Sequence, residues 1–538
     1  MHVVKATSRA SVTSGYSSDD EDLLSPTAAT GTDPATAETP LLGSPDDQKR
    51  PIVSGHFHQT VLILILGYIF VLMLSVTLLT APSTAIMENI ICRSYYPDVT
   101  TDIMVADARC KGSDVQGYLA MIRGWAATFE CIPGILGAVP FGIMSDKAGR
   151  KPVLFLATVG LTLWVSWSVL VLYFPNVFDV RWYWFSNVFL LSGGGSSVLV
   201  AMLYTIAADI TPLAERATVF FWAQSTQLVA MLVGAPLTGM LMRWAVWLPI
   251  WVSLLLLVLG ILISLVMPET LGLNTHDQQP PAPADDNQGT DMRGSSPETE
   301  DTKLSTRMRH IWHKVKTDFQ EMFTFVLGNL RVTFLLLSIV FAVLGKFVEE
   351  MLLQYSSKRY NWSYDQASTF LAIRPASSLV LLLVVLPGIS WLFLNRFKMV
   401  SVAKDLWIAR VSGVFLTVGA FMTATAVNGY LLMVSLVVMS MGTGLLSVVR
   451  SLANALVEEH HVGIVNSLIG FMEMVGLLIA GPVLSQSLRV GFKLGGPWVG
   501  LPFLCASFLC AVSTAIVWSF RIPHRHLSIS SVTARAPA

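Results

Sequence analysis

Twelve long apolar runs constrain the fold of this 538-residue chain more than any other feature. An α-helix needs about 20 apolar residues to cross the hydrocarbon core of a bilayer, and each run approaches or exceeds that length. Charged residues make up only 13% of the chain, against about 25% in a soluble domain. We therefore predict an all-α polytopic membrane protein embedded in a lipid bilayer. The predicted spans lie near residues 59–83, 115–141, 152–174, 182–209, 217–242, 245–267, 331–355, 365–394, 403–427, 429–457, 462–488 and 497–520.

The spans fall into two sets of six, and two landmarks repeat between the sets. Pro236 follows Gly-Ala in the fifth span, Pro482 follows Ala-Gly in the eleventh, and 246 residues separate them (236 to 482). Pro140 and Pro387 are 247 residues apart (140 to 387). This nearly constant offset predicts two pseudo-symmetric six-helix bundles. The predicted division is a disordered tail (1–58), a bundle (59–270), a linker with an amphipathic helix (271–330), a second bundle (331–520) and a tail (521–538).

The basic residues predict which loops face the cytoplasm, because loops rich in Lys and Arg stay on that side. All basic clusters fall on one predicted side, so both termini are predicted to be cytoplasmic. The polar N-terminal residues argue against a cleavable signal peptide. Residues 19–24 fit an acidic dileucine sorting signal and 38–42 a looser copy, but an acidic tail that merely contains leucines fits them equally well, so the vacuolar and the plasma membrane stay open as locations. The basic clusters are Lys147, Arg150 and Lys151; Lys303 to Lys316; Arg396, Lys398, Lys404 and Arg410; and Arg521 and Arg525.

The predicted outer loops contain a sequon and two cysteines. Asn361-Trp362-Ser363 matches the acceptor pattern for N-glycosylation. Cys92 and Cys110 share the first outer loop, where an oxidising environment allows a disulfide. We predict a glycan on Asn361 and a Cys92–Cys110 bond. The five cysteines have no metal-ligand spacing, so we expect neither a metal site nor a cofactor.

Ionisable residues inside the apolar runs are the candidate transport residues. Each costs at least ~2.5 kcal/mol near the bilayer centre, so each is expected to face the bundle interior and to have a partner. A carboxyl group in apolar surroundings can also bind and release a proton near neutral pH. The candidates are Arg123 and Glu130 in the second span, Lys346, Glu349 and Glu350 in the seventh, Arg374 in the eighth, Arg450 in the tenth and Glu473 in the eleventh.

Spacing and depth predict which of these side chains meet. Two interpretations stay open for every pair: binding of solute or protons, or a static ion pair that holds helices together. The two are equally supported for Arg450 and Glu473, whereas we favour a transport role for Glu130, Lys346, Glu350 and Arg374. The expected pairs are Lys346 with Glu350, Arg374 with Glu349 or Glu350, and Arg450 with Glu473.

A charged island, G-I-M-S-D-K-A-G-R-K at 142–151, separates the second and third spans. Asp146 can cap a helix end, and Gly149 can supply a left-handed turn. The island resembles motif A of the major facilitator superfamily, and the resemblance extends over about residues 59–520. The chain looks like fungal members of that superfamily and, less closely, like the solute carriers that include the proton-coupled folate transporter. The residues of the motif are Gly142, Asp146, Lys147, Gly149, Arg150 and Lys151.

The resemblance implies a mechanism and a gate. In the superfamily two six-helix halves rock about a central site, and spans 1, 4, 7 and 10 line the cavity. Motif A would close the inner gate, with Asp146 facing the start of the eleventh span and Arg150 pairing with an acid such as Asp209. Arg216 lies in the same loop as Asp209 and is a further gating candidate.

These features predict a secondary transporter of a small organic solute, coupled to protons and acting as a monomer. Both charge signs among the candidates favour a polar or zwitterionic solute. One alternative is a drug/proton antiporter for efflux, although the antiporter motif at 234–239 is only partial. Another is a non-transporting membrane sensor or scaffold. The sequence shows neither a catalytic constellation, which would indicate an enzyme, nor a P-loop, which would indicate an ATP-driven pump. The formal net charge of zero does not favour binding of nucleic acid. Gly193–Gly195, inside the fourth span, is interpreted as a helix-packing surface.

Overall fold

The computed structural model describes residues 55–99, 107–211, 215–271, 330–396, 399, 401–455 and 462–520. The predictions for both tails, the dileucine sequences and the amphipathic linker helix concern residues outside these ranges. Within them, twelve long helical elements follow one another, besides the short 3₁₀ helices Ala108–Lys111 and Gly496–Gly500, and eleven of the twelve are long and apolar enough to span a membrane. The predicted all-α polytopic fold is therefore confirmed.

The first six elements are α1 (Gly55–Tyr95), α2 (Ser113–Ala148), α3 (Arg150–Tyr173), α4 (Val180–Ile210), α5 (Arg216–Trp244) and α6 (Leu248–Val266). The last six are α7 (330–360), α8 (364–396), α9 (Ser401–Thr425), α10 (429–455), α11 (Val462–Leu494) and α12 (Leu501–Ser519). α4, α7, α8 and α10 are each interrupted, and α7 is the one of the twelve that is not among the eleven membrane-length helices. Its parts are Leu330–Lys346, the 3₁₀ turn Phe347–Met351 and Leu352–Tyr360.

Each half of the chain has its own hydrophobic core. Tyr68 and Leu119 are fully buried in the core of α1 to α6, and Tyr355 and Phe503 are fully buried in the core of α7 to α12. The halves meet mainly along two seams, α2 against α11 and α5 against α8. This is the twelve-helix, two-bundle fold, and the exact bundle boundaries stay a prediction.

One of the repeated landmarks, the Gly-Ala-Pro and Ala-Gly-Pro pair, lies on these two seams. A methyl group on Gly481 of α11 would meet Thr128 and the carbonyl of Gly124 on α2, so the two backbones run in close contact. On the other seam, the Ser368 hydroxyl donates to the Ala235 carbonyl at 2.7 Å. Small residues bring the halves close together where they touch.

The glycine run interrupts α4 inside the membrane. A 3₁₀ helix, Val180–Ser192, ends there, and an α-helix restarts at Gly195. Gly194 has a φ of +75°, which favours glycine over other residues. A methyl group on Gly193 would overlap the backbone of Ala157 in α3. The run is therefore a close packing surface, as its position in the fourth span predicts.

The two ends of the helix bundle differ: one carries a disulfide and Asn361, and the other carries the charged island. Cys92 and Cys110 form a disulfide with their Cα atoms 5.1 Å apart, and we call this end the disulfide end. Asn361 lies exposed at the same end, where it terminates α7 with a φ of +53°. The island at 142–151 lies at the opposite end, which we call the motif end.

Candidate functional site

A cavity of about 710 Å³ lies between the two halves. Its walls come from α1, α2, α3, α4, α7, α10 and α11, so the four predicted spans contribute together with three others. The volume is within the range of pockets for drug-sized ligands. Four methionines line it, and their flexible thioethers adapt to ligands of different shape. They are Met73, Met87, Met351 and Met474; of the predicted residues, Arg123, Glu130, Lys346, Glu349, Glu350 and Glu473 line the cavity.

Glu130 faces the cavity without an ionic partner. The Ser196 hydroxyl donates to its Oε1 at 3.4 Å, and no described cation lies within 4.0 Å of its carboxylate. Ser196 belongs to the first turn of the α-helix that restarts at Gly195. The N-terminal end of a helix attracts negative charge, so the break in α4 provides a favourable environment for the carboxylate.

Aromatic and amide side chains form another part of the wall. Trp164, Tyr183 and Asn187 line the cavity. The Trp164 indole N–H donates to Asn187 Oδ1 at 3.2 Å, and the Asn187 amide donates to the Trp184 carbonyl at 3.0 Å. Asn187 therefore fixes the orientation of Trp164. Sequence reasoning missed these residues because aromatic side chains inside apolar runs look like ordinary core residues.

The predicted Lys346–Glu350 pair is wrong. Within the described residues no carboxylate lies within 4.0 Å of the Lys346 ammonium, although both side chains line the cavity. The physical reason is the 3₁₀ turn Phe347–Met351, which begins directly after Lys346. A 3₁₀ helix has 3.0 residues per turn, so residues four apart no longer share a face. Arg123 is nearby, and its guanidinium donates to the Glu350 carbonyl at 3.4 Å.

Arg374 forms an ion pair with Glu349, one of its two predicted partners. The Glu349 side chain is 5% exposed and that of Arg374 is 24% exposed. Glu349 Oε1 and Arg374 Nε are buried and have no hydrogen-bond partner among the described atoms. Arg374 does not line the cavity. This geometry favours the interpretation of Arg374 as the structural partner of a buried acid.

Arg450 and Glu473 also meet, as predicted. Arg450 Nη2 donates to both carboxylate oxygens of Glu473 at 2.9 and 3.0 Å, joining α10 to α11. Glu473 lines the cavity and Arg450 does not. The pair lies within one half, and both side chains are partly exposed.

At the motif end, Arg150 is the centre of a polar cluster. Its guanidinium contacts Asp146 Oδ1 at 2.5 Å, Asp209 Oδ2 at 3.2 Å and Ser145 Oγ at 2.5 Å. Arg150 thus contacts Asp209, as predicted. Arg216 does not join the cluster, since its Nε donates to the Thr211 carbonyl at 3.2 Å.

Glu269, just after α6, caps the start of α3. It accepts hydrogen bonds from the backbone N–H groups of Arg150 at 2.8 Å and Lys151 at 3.1 Å. Burial alone would raise the pKa of Glu269, but four backbone N–H groups together hold that pKa below its ordinary value. Asp146 lies inside α2 and caps no helix, so that prediction is wrong.

Two further residues of the motif have clear positions. Gly149 has a φ of +106°, and a methyl group there would overlap the Glu269 carboxylate, so only glycine fits. The Lys147 side chain is exposed at the same end. Sequence reasoning did not assign Glu269 this role, because a cap supplied from another helix leaves no local pattern.

A second polar network closes the disulfide end, and sequence reasoning missed it. Lys111 Nζ lies 2.8 Å from Glu88 Oε1 and 2.7 Å from Ser357 Oγ. Tyr364 donates its hydroxyl to Glu88 Oε2 at 2.5 Å, and Gln116 donates its amide to the same oxygen at 2.5 Å. Glu88, Lys111 and Gln116 belong to the first half, whereas Ser357 and Tyr364 belong to the second. The network therefore connects the two halves.

Comparison with known proteins identifies similar chains and folds. The family model described as Major Facilitator Superfamily matches residues 64–481. The efflux pump ustT of Aspergillus flavus is 30% identical over 457 residues, which cover 84% of this chain and 87% of the relative. The efflux pump atnC of Emericella nidulans is 28% identical over 516 residues, covering 94% and 96%.

Solved structures have the same fold at low identity. A D-xylose–proton symporter superposes with a TM-score of 0.55 at 14% identity, covering 88% of this chain and 99% of the symporter. The human organic anion transporter MFSD10 superposes with a TM-score of 0.52 at 15% identity, covering 86% and 99%. At such identities the likeness concerns the fold alone.

Proposed function

Because this chain belongs to the major facilitator superfamily, we propose that it exports a small organic solute in exchange for protons, by alternating access. Membership makes it a membrane transporter. The observation that carries the proposal is the cavity between the halves, which holds the ion-pair-free carboxylate of Glu130. Two relatives that cover most of this chain are named efflux pumps, which favours export over uptake. Export is also the direction of transport in the drug/proton antiporter alternative.

The cavity wall supports a largely apolar solute with a polar or charged group. Most lining side chains are aliphatic, aromatic or thioether, and the ionisable groups are few. Such a wall resembles drug-sized ligand sites, in which a few polar groups fix the orientation of an apolar body. Glu130 and Lys346 form no ion pair with a described residue, so each can receive an oppositely charged group of the solute.

The register of α2 and α11 supports a gate at the motif end. The two helices are antiparallel, and Thr128 faces Gly481. Asp146 lies 18 residues after Thr128 on α2, and residue 463 lies 18 residues before Gly481 on α11. Asp146 is therefore level with the first turn of α11, which begins at Val462. A carboxylate at a helix N-terminus is stabilised by about 0.3–1 kcal/mol. When the gate closes, Asp146 would make this contact.

In the structure the motif end is open where this contact would form. The Asp146 side chain is 71% exposed, and among the described residues a methyl group on Gly142 would meet no atom within 4 Å. Motif A residues contact one another, Asp209 and Glu269, all in the first half. The disulfide end is closed by the network around Lys111, so the two ends are in opposite states, as alternating access requires.

We propose that the disulfide end faces away from the cytoplasm. This orientation places both termini in the cytoplasm. Asn361 is exposed there, so a glycan can attach without displacing packed residues. We expect the full-length protein made in fungal cells to lose mass on glycosidase treatment, and the Asn361→Gln variant to show no such loss. An unchanged mass for the treated wild type would contradict this orientation.

Release of solute from loaded vesicles tests the proposed function. We expect vesicles that contain the purified protein and a fungal metabolite extract to release a subset of solutes when the outside is acidified. Protons then enter as the solute leaves, and mass spectrometry of the outer solution identifies the solute. Protein-free vesicles loaded with the same extract are the control. Release that is no faster with acid outside than at equal pH would contradict proton exchange, because the outward solute gradient alone already drives some exchange at equal pH. Accumulation of solute inside the vesicles would contradict export, and no movement would favour the sensor or scaffold.

A further inference from the structure

The charged pair in the network at the disulfide end is largely buried, unlike a surface salt bridge. The side chains of Lys111 and Glu88 are only 17% and 10% exposed. We propose that Glu88, Lys111 and Tyr364 form a charged latch that holds the disulfide end shut, and that the Cys92–Cys110 disulfide positions Lys111 within it. The proposal rests on the alternating access of the proposed function, but not on the direction or the driving force of transport.

Lys111 is the residue that joins the parts of the latch. Its ammonium contacts both oxygens of Glu88, at 2.8 and 3.0 Å, and Ser357 Oγ at 2.7 Å, so its three donors are used. It also lies 4.3 Å from the centre of the Tyr364 ring, within the range of a cation–π contact. In addition, the Lys358 ammonium donates to the Lys111 carbonyl. Side chain and backbone of one residue thus bind the opposite half.

Glu88 is the matching acceptor. Its Oε2 receives the Tyr364 hydroxyl at 2.5 Å and the Gln116 amide at 2.5 Å, as well as the Lys111 ammonium. Gln354 of α7 extends the contact by donating to the Gln116 carbonyl at 2.8 Å. Hydrogen bonds to an ionised group are roughly twice as strong as neutral ones. Neutralising either charge should therefore weaken several bonds between the halves together.

The disulfide ties the same two segments that the ion pair joins. Cys92 lies about one helical turn beyond Glu88 on α1, and Cys110 directly precedes Lys111. The Cys110 carbonyl also accepts a hydrogen bond from Gln116 at 3.0 Å. With the chain anchored one residue away, Lys111 has few positions available, and its ammonium stays beside Glu88. This reduces the conformational entropy that is lost when the latch closes.

The latch separates into a permanent part and a releasable part. The disulfide and the Lys111–Glu88 pair lie within the first half, and they can persist while the halves move. The bonds to Ser357, Lys358 and Tyr364 cross between the halves, and they must break before the cavity opens to this end. The first half therefore presents a preformed charged site, and the second half docks on it.

A distance measurement between the halves tests the latch without a substrate. Val177 and Val427 are 74% and 76% exposed, lie on loops of opposite halves at the disulfide end, and suit spin labels after substitution by cysteine. The labelled background replaces the three free cysteines, Cys131, Cys505 and Cys510, with alanine and keeps the disulfide. Electron–electron double resonance on the full chain in lipid nanodiscs then gives the fractions with closed and open disulfide ends.

We expect Lys111→Met to raise the ratio of open to closed molecules by roughly tenfold, the factor that corresponds to about 1.4 kcal/mol. Lys111→Arg keeps the charge and should stay mostly closed. Arg109→Gln is the matched control, because Arg109 is next to Cys110 and its partners among the described residues all belong to the first half: Asp98 at 2.7 Å, Asp107 at 2.8 Å and the Tyr96 ring. Unchanged distances in Lys111→Met, or an equal shift in Arg109→Gln, would overturn the latch.

The role of the disulfide has its own outcome. The Cys92→Ser/Cys110→Ser variant should shift the distances in the same direction as Lys111→Met, and adding Lys111→Met to it should change them little further. Fully additive shifts would show that the disulfide does not act through Lys111 and would overturn that part of the proposal. A shift in distances together with no proton-driven export would retain the latch and reject the proposed function, so the two failures are distinguishable.

Discussion

Replacing Glu130 with glutamine is expected to reduce proton-driven export to the level of empty vesicles, while the protein still folds. Glutamine has nearly the same shape and can still accept the hydrogen bond from Ser196, which is 3.4 Å away in the wild type. It cannot bind or release a proton. Because the carboxylate forms no ion pair with a described residue, its neutralisation leaves no opposite charge stranded. The measurement is solute release from vesicles with an acid outside, together with the thermal unfolding midpoint of the purified protein.

The interpretation of the Glu130 variant depends on two comparisons. Glu215→Gln is the matched control, because Glu215 is exposed at the start of α5, does not line the cavity and should not affect export. Glu350→Gln is the second test, because Glu350 lines the same cavity without a described ionic partner. Wild-type export in both Glu130→Gln and Glu350→Gln would remove the proton-carrier hypothesis. Loss of export in Glu215→Gln would show that the assay reports something other than the cavity.

The membrane spans could be predicted from the sequence because one physical effect dominates them. A helix in lipid must be apolar over about 20 residues, so each span is visible as a run without reference to its neighbours. The resemblance to motif A predicts the Arg150–Asp209 contact, and the cost of buried charge predicts the Arg450–Glu473 contact. An isolated charge in a membrane is costly, and therefore the few candidate partners on neighbouring helices are informative.

The Lys346–Glu350 prediction failed for a local reason. It assumed α-helical geometry throughout the seventh span, and the hydrophobic pattern gives no sign of the 3₁₀ turn Phe347–Met351. The turn contains Glu349, which pairs with Arg374 of α8, 25 residues away in the chain. The hydrophobic pattern of one helix carries no information about a contact with a residue so far away in the sequence.

The latch at the disulfide end was missed for a related reason. Lys111 and Tyr364 lie in different halves, 253 positions apart in the sequence (111 to 364), and neither residue stands out locally. Lys111 looked like one of several charges in a mixed outer loop. Only the packing of α1, α2, α7 and α8 at one end shows that it contacts a buried acid. Gates depend on contacts between halves, so they are the part of a transporter that its sequence predicts least.

Replacing Arg374 with methionine is expected to destabilise the protein strongly, by about 3–5 kcal/mol. The Glu349 side chain is only 5% exposed, so removal of the guanidinium leaves a buried carboxylate without a counter-charge. Methionine fills a similar volume, which limits the contribution of lost packing. Thermal or denaturant unfolding of the purified protein in detergent measures the change. Full wild-type stability would contradict a structural role for the pair.

The reverse replacement separates a structural role from a transport role for Arg374. Glu349→Gln should cost less than Arg374→Met, because the Arg374 side chain is 24% exposed and retains access to water when it loses its partner. The double variant Glu349→Gln/Arg374→Met should recover much of the stability, since no buried charge remains and both groups already leave one polar atom unsatisfied. If the double variant is stable and still exports, the pair only joins α7 to α8. A stable double variant without export would instead assign the pair to transport, because Glu349 lines the cavity.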